Sequence, residues 1–353
     1  MNVLIAGAGP TGLTAALELA RLGVKARIVD IRNGASNLSR AVAITPASLE
    51  LFSKSGVAEK ILAEASIIKG FRLYRKKQLL FDLNIRSSNL KTSGLIGIPQ
   101  DQTEKIITEE LLRRGIAVEF NKGVSSLKQD KDKVLVNFND NTCEEFDLVI
   151  GADGTRSTVR ESAGIEFQGK VLGQTWSIAD VELEGWPNPH KGSLFQVKRG
   201  VVVVVVPIGE SRYRLVASHE DCLSCLPLEH KVTKLYRKGS FKISVKQAKS
   251  YSSGRVYLAG DAAHCHSPVG GRGMNLGIAD AVDLANRIVN GGLEEYSDIR
   301  KKEATRIIKV TERMRMLSGG FHLRHRLIFW LVTTVLRRSS YSRHIIERFL
   351  LNF

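Results

Sequence analysis

Residues 3–12 read Val3-Leu4-Ile5-Ala6-Gly7-Ala8-Gly9-Pro10-Thr11-Gly12, an apolar run that leads into glycines with G-x-G-x-x-G spacing. The apolar run predicts a buried strand, and the apolar periodicity of residues 13–22 predicts a helix directly after the glycine turn. Gly7 permits a tight turn, Gly9 lets the backbone approach a pyrophosphate, and Gly12 allows the helix to pack closely on the strand. The pattern therefore favours dinucleotide binding over a purely structural glycine turn.

A second predicted strand, residues 25–30, ends at Asp30. An acidic residue at this distance from the first glycine is placed to accept hydrogen bonds from a ribose. The phosphate would lie at the helix N-terminus, where free N–H groups and the helix dipole attract an anion. Such a βαβ unit implies a parallel sheet with helices on its faces. The motif alone does not separate NAD from FAD.

A second glycine motif joins an apolar strand to an Asp-Gly turn and reads Leu148-Val149-Ile150-Gly151-Ala152-Asp153-Gly154. Arg156 and Arg160 follow it. Arginine pairs bidentately with phosphate, so this turn could form a second clamp on a phosphorylated cofactor. The alternative is an ordinary loop with solvated charges, and the motif alone leaves both interpretations open.

A third motif begins where a predicted strand, residues 255–259, runs into Gly260 and Asp261. It continues as Ser267-Pro268-Val269-Gly270-Gly271-Arg272-Gly273-Met274-Asn275. Small residues over such a length indicate that a large, flat ligand approaches the backbone. A helix beginning near Met274 would direct its N-terminus at this ligand and stabilise negative charge that develops on it.

The segments between these motifs alternate between helical and strand patterns. Residues 45–63 and 101–114 show helical periodicity, whereas residues 71–85 alternate as strands do. Six consecutive valines, residues 201–206, are followed by a turn and a second apolar run at residues 213–216. This arrangement predicts a hairpin inside a sheet, although six valines are also compatible with an aggregation-prone edge strand.

Together, the three motifs resemble those of the flavoprotein aromatic hydroxylases, the single-component FAD monooxygenases typified by p-hydroxybenzoate hydroxylase. The resemblance covers nearly the whole chain, and the motifs occur in the order and spacing of that family. Residues 39–46 and 99–104 are also typical of these enzymes. The resemblance implies an α/β fold, with a Rossmann-like FAD-binding domain of the GR2 type, an inserted β-sheet substrate domain and a helical C-terminus.

The resemblance also implies domain boundaries. The FAD-binding domain would be discontinuous and comprise residues 1–70, 98–170 and 251–295. The substrate-binding β-sheet domain would comprise residues 71–97 and 171–250, and residues 296–353 would form a basic helical C-terminal region.

The family's cofactor contacts map onto specific residues of this chain. They are Gly7, Gly9, Pro10, Thr11, Gly12, Asp30, Arg40, Gln100, Asp153, Asp261, Gly273, Met274 and Asn275. The first glycine motif and Asp30 would hold the ADP half of FAD, and Arg40 and Gln100 would contact its central part. Asp153 lies in the turn that the family uses for both FAD and NAD(P)H.

The third motif would bind the reactive half of FAD. Asp261 would bind the ribityl chain, and residues 273–275 would supply backbone contacts to the pyrimidine side of the ring. Pro268 would lie over the reactive edge of the flavin, in a loop with Gly270 and Gly271 that forms the expected catalytic position. No acid or base for the substrate can be assigned, because Tyr213, Arg214 and other polar residues of the substrate region are more typical of packing or surface positions.

By resemblance, NADH or NADPH reduces FAD, O₂ forms a flavin C4a-hydroperoxide, and one oxygen atom passes to an electron-rich aromatic ring. The substrate would be a small phenol, a polycyclic polyketide or a prenylated quinone precursor. Two alternatives share the motifs: a flavin reductase of the geranylgeranyl reductase type, and a flavoprotein that oxidises NAD(P)H without hydroxylation or acts as a redox-sensing interaction module. The sequence predicts no metal site.

Composition indicates a folded protein of about two domains with one unusual property, its charge. The chain has 353 residues and a net charge of +16, and residues 300–353 hold 13 Lys and Arg against three acidic residues. No nucleic-acid-binding motif accompanies this charge. An apolar stretch at residues 327–332, flanked by arginines, is compatible with peripheral contact to a membrane or with packing on the core. Four cysteines and the absence of a recognisable signal peptide favour a cytoplasmic location.

Overall fold

The computed structural model describes residues 1–35, 41–85 and 94–320, together with His325, Ile328, Phe329, Leu331, Thr333, Thr334 and Glu347. Arg40, one of the predicted cofactor contacts, lies outside the described residues, as do Leu327, Trp330 and Val332 of the predicted membrane-contact stretch. Within the described part of the chain, no helix is long and apolar enough to cross a membrane.

A largely parallel sheet is built around the first glycine motif. Its strands, in sheet order, are β18 (Ser252–Ser253), β19 (Val256–Leu258), β12 (Leu148–Gly151), β1 (Val3–Ala6), β2 (Arg27–Asp30) and β8 (Val118–Phe120). Strands β1, β12 and β19 are parallel, with Ala6 opposite Gly151 and Gly151 opposite Leu258. The three predicted motifs therefore leave the same carboxyl edge of one sheet, the edge at which such sheets bind ligands.

Helices cover this sheet, as the apolar periodicity predicts. They are α1 (Pro10–Arg21), α4 (Gln100–Arg113), α5 (Thr158–Ser162) and α6 (Gly273–Asn290). Strand residues Val3, Leu4 and Ile5 are completely buried together with Leu13 and Leu17 of α1. The predicted strand–helix–strand unit at the start of the chain is thus confirmed, and it forms the centre of the largest hydrophobic core.

The segment predicted as one helix over residues 45–63 is interrupted. It forms α2 (Pro46–Leu51), a short 3₁₀ turn (Ser53–Ser55) and α3 (Val57–Glu64). Gly56 separates the turn from α3 and has a φ of 77°, a left-handed conformation that a helix does not contain. The prediction of a continuous helix is therefore wrong, although every part of the segment except the junctions is helical.

Two small antiparallel sheets flank the parallel one. One contains β11 (Cys143–Phe146), β10 (Val134–Phe138) and β9 (Val124–Gln129), and the other contains β3 (Ala43–Ile44), β7 (Leu95–Gly97) and β4 (Ser66–Ile68). The second of these brings the segment around Ala43 to the carboxyl edge of the parallel sheet, because Asn275 of α6 hydrogen-bonds to Ala43 and Thr45.

A large mixed sheet forms the second layer of the molecule. In sheet order it contains β20 (His264–Cys265), β17 (Lys231–Ala248), β13 (Phe167–Glu184), β16 (Arg212–Ala217), β15 (Val201–Pro207), β14 (Lys191–Lys198), β5 (Gly70–Arg75) and β6 (Gln78–Asn84). The valine run is β15, which pairs with both β14 and β16. The predicted hairpin is confirmed, and the edge-strand alternative is excluded because both edges of β15 are paired.

The valine run is apolar throughout because both faces of β15 are buried. Val203 and Val205 belong to a cluster that includes Phe195 and Leu215, whereas Val202 belongs to a different cluster on the opposite face. The second face meets the parallel-sheet layer. Successive side chains of a strand point to opposite faces, so a strand buried on both faces loses the usual apolar–polar alternation.

The final long helix, α7 (Leu293–Gly319), joins the two layers. Its end is attached to the large sheet, because the Gly319 carbonyl accepts from the Gly200 N–H at 2.8 Å and the Ser318 carbonyl accepts from Gln196 at 2.8 Å. Met314 of the same helix packs with Trp176 and with other members of the cluster that contains Val202. The predicted helical character after Gly273 is confirmed up to Gly319.

Candidate functional site

The three glycine motifs form one site at the carboxyl edge of the parallel sheet. A Cβ atom added to Gly7 would overlap the carbonyl oxygen of Ala152, so the first and second motifs touch. Thr11 connects the first and third motifs, because its hydroxyl occupies the space that a Cβ of Gly260 or Gly277 would need. Thr11, a predicted cofactor contact, therefore packs between Gly260 of the third motif and Gly277 of the helix that follows it.

The N-terminus of α1 is open toward this site. Gly9 is its N-cap, no side chain caps the helix, and a Cβ atom added to Gly9 would meet nothing within 4 Å. The φ of Gly9 is −78°, which any residue can adopt. Neither the backbone conformation nor a neighbouring protein atom requires glycine at this position, and the open space beside Gly9 lies at the positive end of a helix dipole. Pro10 is the first helical residue, where its missing N–H costs nothing.

Asp30 is buried and fully hydrogen-bonded. Its carboxylate accepts from the Ala8 N–H at 2.7 Å, from the Arg32 N–H at 2.9 Å and from the Arg32 guanidinium at 2.9 and 3.0 Å. Burial acts to raise the pKa of Asp30, but the bonds from Arg32 and Ala8 outweigh it and leave the pKa below its ordinary value. Arg32 was not among the predicted site residues, although its position two residues after the acid could have indicated it.

The second motif uses its charged side chains to hold its own shape. The Asp153 carboxylate accepts from the Ser157 hydroxyl and from the Val159 N–H at 3.1 Å. Burial raises the pKa of Asp153, and these two hydrogen bonds act against that shift. Arg160 is 3% exposed and donates to the carbonyls of Ala262 and Thr155 at 3.0 and 3.1 Å. The interpretation of Arg160 as a solvated charge is wrong.

The loop of the third motif is fastened to the small sheet through Asn275. The Asn275 amide oxygen accepts from the Thr45 N–H at 2.8 Å, and its NH₂ group donates to the carbonyls of Ala43 and Gly271 at 3.0 Å each. In the same loop the Gly271 N–H donates to the Pro268 carbonyl at 3.0 Å. The side chain of Asn275 is therefore used within the protein, and its backbone lies in the first turn of α6.

Space and charge at the start of α6 resemble those at the start of α1. No side chain caps α6, a Cβ on Gly271 would meet nothing within 4 Å, and a Cβ on Gly273 would meet one atom, His266 Nε2, at 3.9 Å. Gly270 and Gly271 have φ values of 100° and 63°, which favour glycine. Met274 follows directly in the first turn. The molecule thus presents two uncapped helix N-termini at one edge of one sheet.

A buried ionic network supports the turn that carries Asp261. The Asp280 carboxylate accepts from the Gly260 N–H at 3.1 Å, from His264 at 2.5 Å and from Arg300 of α7 at 2.8 Å. Burial alone would raise the pKa of Asp280, but His264 and Arg300 keep it below its ordinary value. Asp261 itself lies in this turn and is exposed. The described residues contain no cluster of metal ligands.

Gln100 reaches the segment that precedes β3. Its side-chain oxygen accepts from the Ala41 N–H at 3.2 Å, and its NH₂ group donates to Glu104 at 2.8 Å. On the other side of the same segment lies Arg214, which is completely buried and paired with Asp180. The sequence alone treats Arg214 as a packing or surface residue, because strand alternation does not reveal that a charged partner lies opposite on the neighbouring strand.

The geometry fits a dinucleotide that carries a second, flat anionic group. One uncapped helix N-terminus with open space is suited to a pyrophosphate, and the other, lined by glycines, is suited to a flat ring that acquires negative charge. The sequence profile described as "FAD binding domain" matches residues 1–224 and 220–310. The chain belongs to the FAD-dependent aromatic hydroxylase family.

Relatives of known sequence agree with this family. The chain is 31% identical to 6-methylpretetramide 4-monooxygenase of Streptomyces rimosus, over 82% of this chain and 56% of that protein. It is 30% identical to the uncharacterized aromatic compound monooxygenase YhjG of Bacillus subtilis, over 92% of this chain and 70% of that protein. The chain thus spans little more than half the length of the first of these hydroxylase-family relatives.

Solved structures of the family share the fold. The p-nitrophenol 4-monooxygenase of Pseudomonas putida superimposes with a TM-score of 0.87 at 21% identity, covering 99% of this chain and 96% of that one. Anhydrotetracycline hydroxylase of Streptomyces rimosus superimposes with a TM-score of 0.79 at 25% identity, covering 100% of this chain and 76% of that one. At 21% identity, the similarity to p-nitrophenol 4-monooxygenase shows a shared fold and nothing more.

Proposed function

We propose that this chain binds FAD at the carboxyl edge of its parallel sheet and hydroxylates an aromatic substrate, with NADH or NADPH as the reductant. When bound, FAD accepts electrons from the nicotinamide, activates O₂ and delivers one oxygen atom to the substrate ring. The observation that carries the proposal is the pair of uncapped, glycine-lined helix N-termini at one sheet edge. The family to which the chain belongs supports it.

The start of α1 would bind the FAD pyrophosphate. The space beside Gly9 admits a phosphate against the first N–H groups of the helix, and the helix dipole stabilises its charge. Asp30 would bind the adjacent ribose. Because the Asp30 oxygens already accept four hydrogen bonds, the ribose hydroxyls would replace those from the Arg32 guanidinium. Arg40 and Gln100 would contact the centre of the cofactor, Gln100 through the segment at Ala41.

The start of α6 would bind the flavin ring. The backbone of residues 273–275 would face the pyrimidine side, and the dipole of α6 would stabilise negative charge on it. Asp261 would accept hydrogen bonds from the ribityl hydroxyls. The loop with Pro268, Gly270 and Gly271 would cover the reactive edge of the flavin, and the Asp153 turn would contribute backbone rather than carboxylate contacts.

The substrate would bind beside the contact between this loop and the large sheet. Val269 of the loop packs with Trp176, Val202 and Ile243 of the sheet, which are all nearly completely buried. An apolar wall of this kind excludes water and suits a planar aromatic ring. We assign residues 71–97 and 171–250 to this substrate-binding domain and residues 1–70, 98–170 and 251–295 to the FAD-binding domain.

A combined binding and product assay tests the proposal. The full chain should purify with bound FAD, and an aromatic compound should accelerate NADH or NADPH consumption and yield a product heavier by one oxygen atom. Fast consumption that yields only hydrogen peroxide with every aromatic compound would support an NAD(P)H-oxidising flavoprotein instead. Reduction of an isoprenoid double bond would support the reductase alternative, and failure to bind FAD would exclude all three.

Peripheral membrane contact through the C-terminal region stays a prediction. Of the apolar stretch at residues 327–332, the structure describes Ile328 and Leu331 as exposed and Phe329 as buried, with Arg75 over its ring at 5.9 Å. Cosedimentation of the full chain with anionic liposomes would test that contact independently of the enzymatic proposal.

A further inference from the structure

A buried ion pair lies on the face of the large sheet that meets the parallel-sheet layer. Arg214 and Asp180 are opposite each other on β16 and β13, and both are completely buried. Two hydrogen bonds of 2.6 and 2.8 Å join the guanidinium to the two carboxylate oxygens. The other neighbour of Arg214, Val206 on β15, belongs to an apolar cluster. Buried charged groups are costly to desolvate, and the burial of Arg214 therefore needs a specific reason.

The reason lies in a third contact of Arg214. Its Nη1 atom donates to the carbonyl of Ala41 at 2.6 Å. The same carbonyl accepts from the Gln100 N–H at 3.2 Å, and the Ala41 N–H donates to the Gln100 side chain at 3.2 Å. Helix α4 thus bonds to both the N–H and the carbonyl of Ala41, and the large sheet bonds to the same carbonyl. Asn275 holds the same segment at Ala43, only two residues further along the chain.

We propose that Arg214 is a positioning residue for FAD. Its guanidinium, fixed in one plane by the bidentate bond to Asp180, holds the Ala41 carbonyl and thereby keeps the segment after Arg40 in the position that receives the cofactor. Arg214 acts through Ala41 and does not itself touch FAD. This inference rests on the proposed FAD binding and couples the substrate sheet to the cofactor segment.

The surroundings of Asp180 allow the role of Arg214 to be isolated. Asp180 also accepts from Arg237 at 2.9 Å and lies 3.5 Å from Arg212. When Arg214 is replaced by methionine, the Asp180 carboxylate therefore keeps cationic neighbours, and the Ala41 carbonyl keeps its bond from Gln100. Methionine also fills most of the apolar volume of the arginine stem.

Three variants separate position from charge. Arg214→Met removes both the charge and the bond to Ala41. Arg214→Lys keeps the charge, but a single ammonium group cannot reproduce the planar fork that reaches Asp180 and Ala41 together. Arg212→Met removes one positive charge beside the same carboxylate. The Arg212 guanidinium of the wild type lies over the Tyr236 ring, at 4.2 Å from its centre, whereas that of Arg214 donates to Ala41.

The test is an equilibrium FAD titration of the full chain, followed by flavin fluorescence, with thermal unfolding of each protein as a second measurement. We expect Arg214→Met to weaken FAD binding about tenfold or more, Arg214→Lys to fall between it and the wild type, and Arg212→Met to stay within about twofold. The bound flavin spectrum of Arg214→Met should also shift, because the ring is less firmly placed.

Two results would overturn the inference. One is an unchanged FAD affinity in Arg214→Met, and the other is an equal loss in Arg214→Met and Arg212→Met, which would indicate a general charge effect. If Arg214→Met does not fold, Arg214→Lys decides: wild-type affinity in that variant contradicts positioning. Absence of FAD binding by the wild-type chain would instead contradict the proposed function.

Discussion

The substitution Gly9→Ala separates cofactor binding from folding. Gly9 has ordinary dihedral angles, and its added methyl group would enter open space at the N-terminus of α1. In Gly12→Ala, by contrast, the added methyl group would overlap the Gly7 carbonyl oxygen. The two substitutions are chemically identical and lie three residues apart in the same motif, yet the structure predicts opposite phenotypes for them.

The expected magnitudes follow from these contacts. At Gly9, alanine is a poorer N-cap than glycine by about 0.5–1 kcal/mol, and the smaller conformational entropy of the unfolded chain offsets this by about 0.4–1 kcal/mol. The free energy of unfolding should therefore change by less than about 0.5 kcal/mol. The methyl group would keep a phosphate away from two N–H groups, and a charge-assisted hydrogen bond contributes about 1.5–3 kcal/mol. Two such bonds amount to about 3 kcal/mol or more, so FAD affinity should fall by at least about 100-fold.

The assay is urea unfolding of the cofactor-free chain combined with FAD titration. Gly12→Ala should lose about 2 kcal/mol or more of stability through overpacking. Gly173→Ala is the matched control, because Gly173 also has open space around its Cβ position but lies in β13. If Gly9→Ala binds FAD within about threefold of the wild type while retaining its stability, a phosphate does not lie at the start of α1, and this reasoning is refuted.

Further predictions concern the Asp280 network and the cysteines. In urea unfolding, Arg300→Met should lower the free energy of unfolding by about 2–4 kcal/mol, because it leaves the completely buried Asp280 carboxylate without this partner. Lys302 is exposed on the same helix, so the control Lys302→Met should lower it by less than about 0.5 kcal/mol. The pKa of Asp280 is lowered in the folded protein, so its contribution is fully present above about pH 4 and is lost as the pH falls further. The stability difference between wild type and Asp280→Asn should therefore be constant between pH 6 and about pH 5 and shrink below about pH 4. A thiol reagent should label the exposed Cys143 rapidly and Cys265 only on unfolding, because burial raises the pKa of Cys265 to about 12.

The glycine motifs could be predicted from the sequence because each is local. A buried strand, a glycine turn and a helix start lie within a few residues of one another, and parallel strands deliver such turns to the same edge. The burial of the valine run followed from composition in the same way, since no polar residue interrupts it. Gly56 was missed as a helix break because its neighbours keep helical periodicity on both sides of it.

What could not be predicted is how the polar side chains are paired. The Asp-Gly motif does not indicate which group the Asp153 carboxylate contacts. In the structure this carboxylate accepts from the Ser157 hydroxyl. The bond between Asn275 and Ala43 and that between Arg214 and Ala41 join residues far apart in the chain. Their formation depends on the packing of one sheet against another.

The sequence by itself determined the strand–turn–helix units, their glycines and the edge at which they meet, because these depend on local backbone conformation and apolar periodicity. Only the tertiary structure decided which charged groups remain open to a ligand. Sheet register places Asp180 opposite Arg214, and the packing of α6 places Asn275 beside the small sheet. A hydrogen bond requires its two atoms within about 3 Å, and only the assembled layers set distances on that scale.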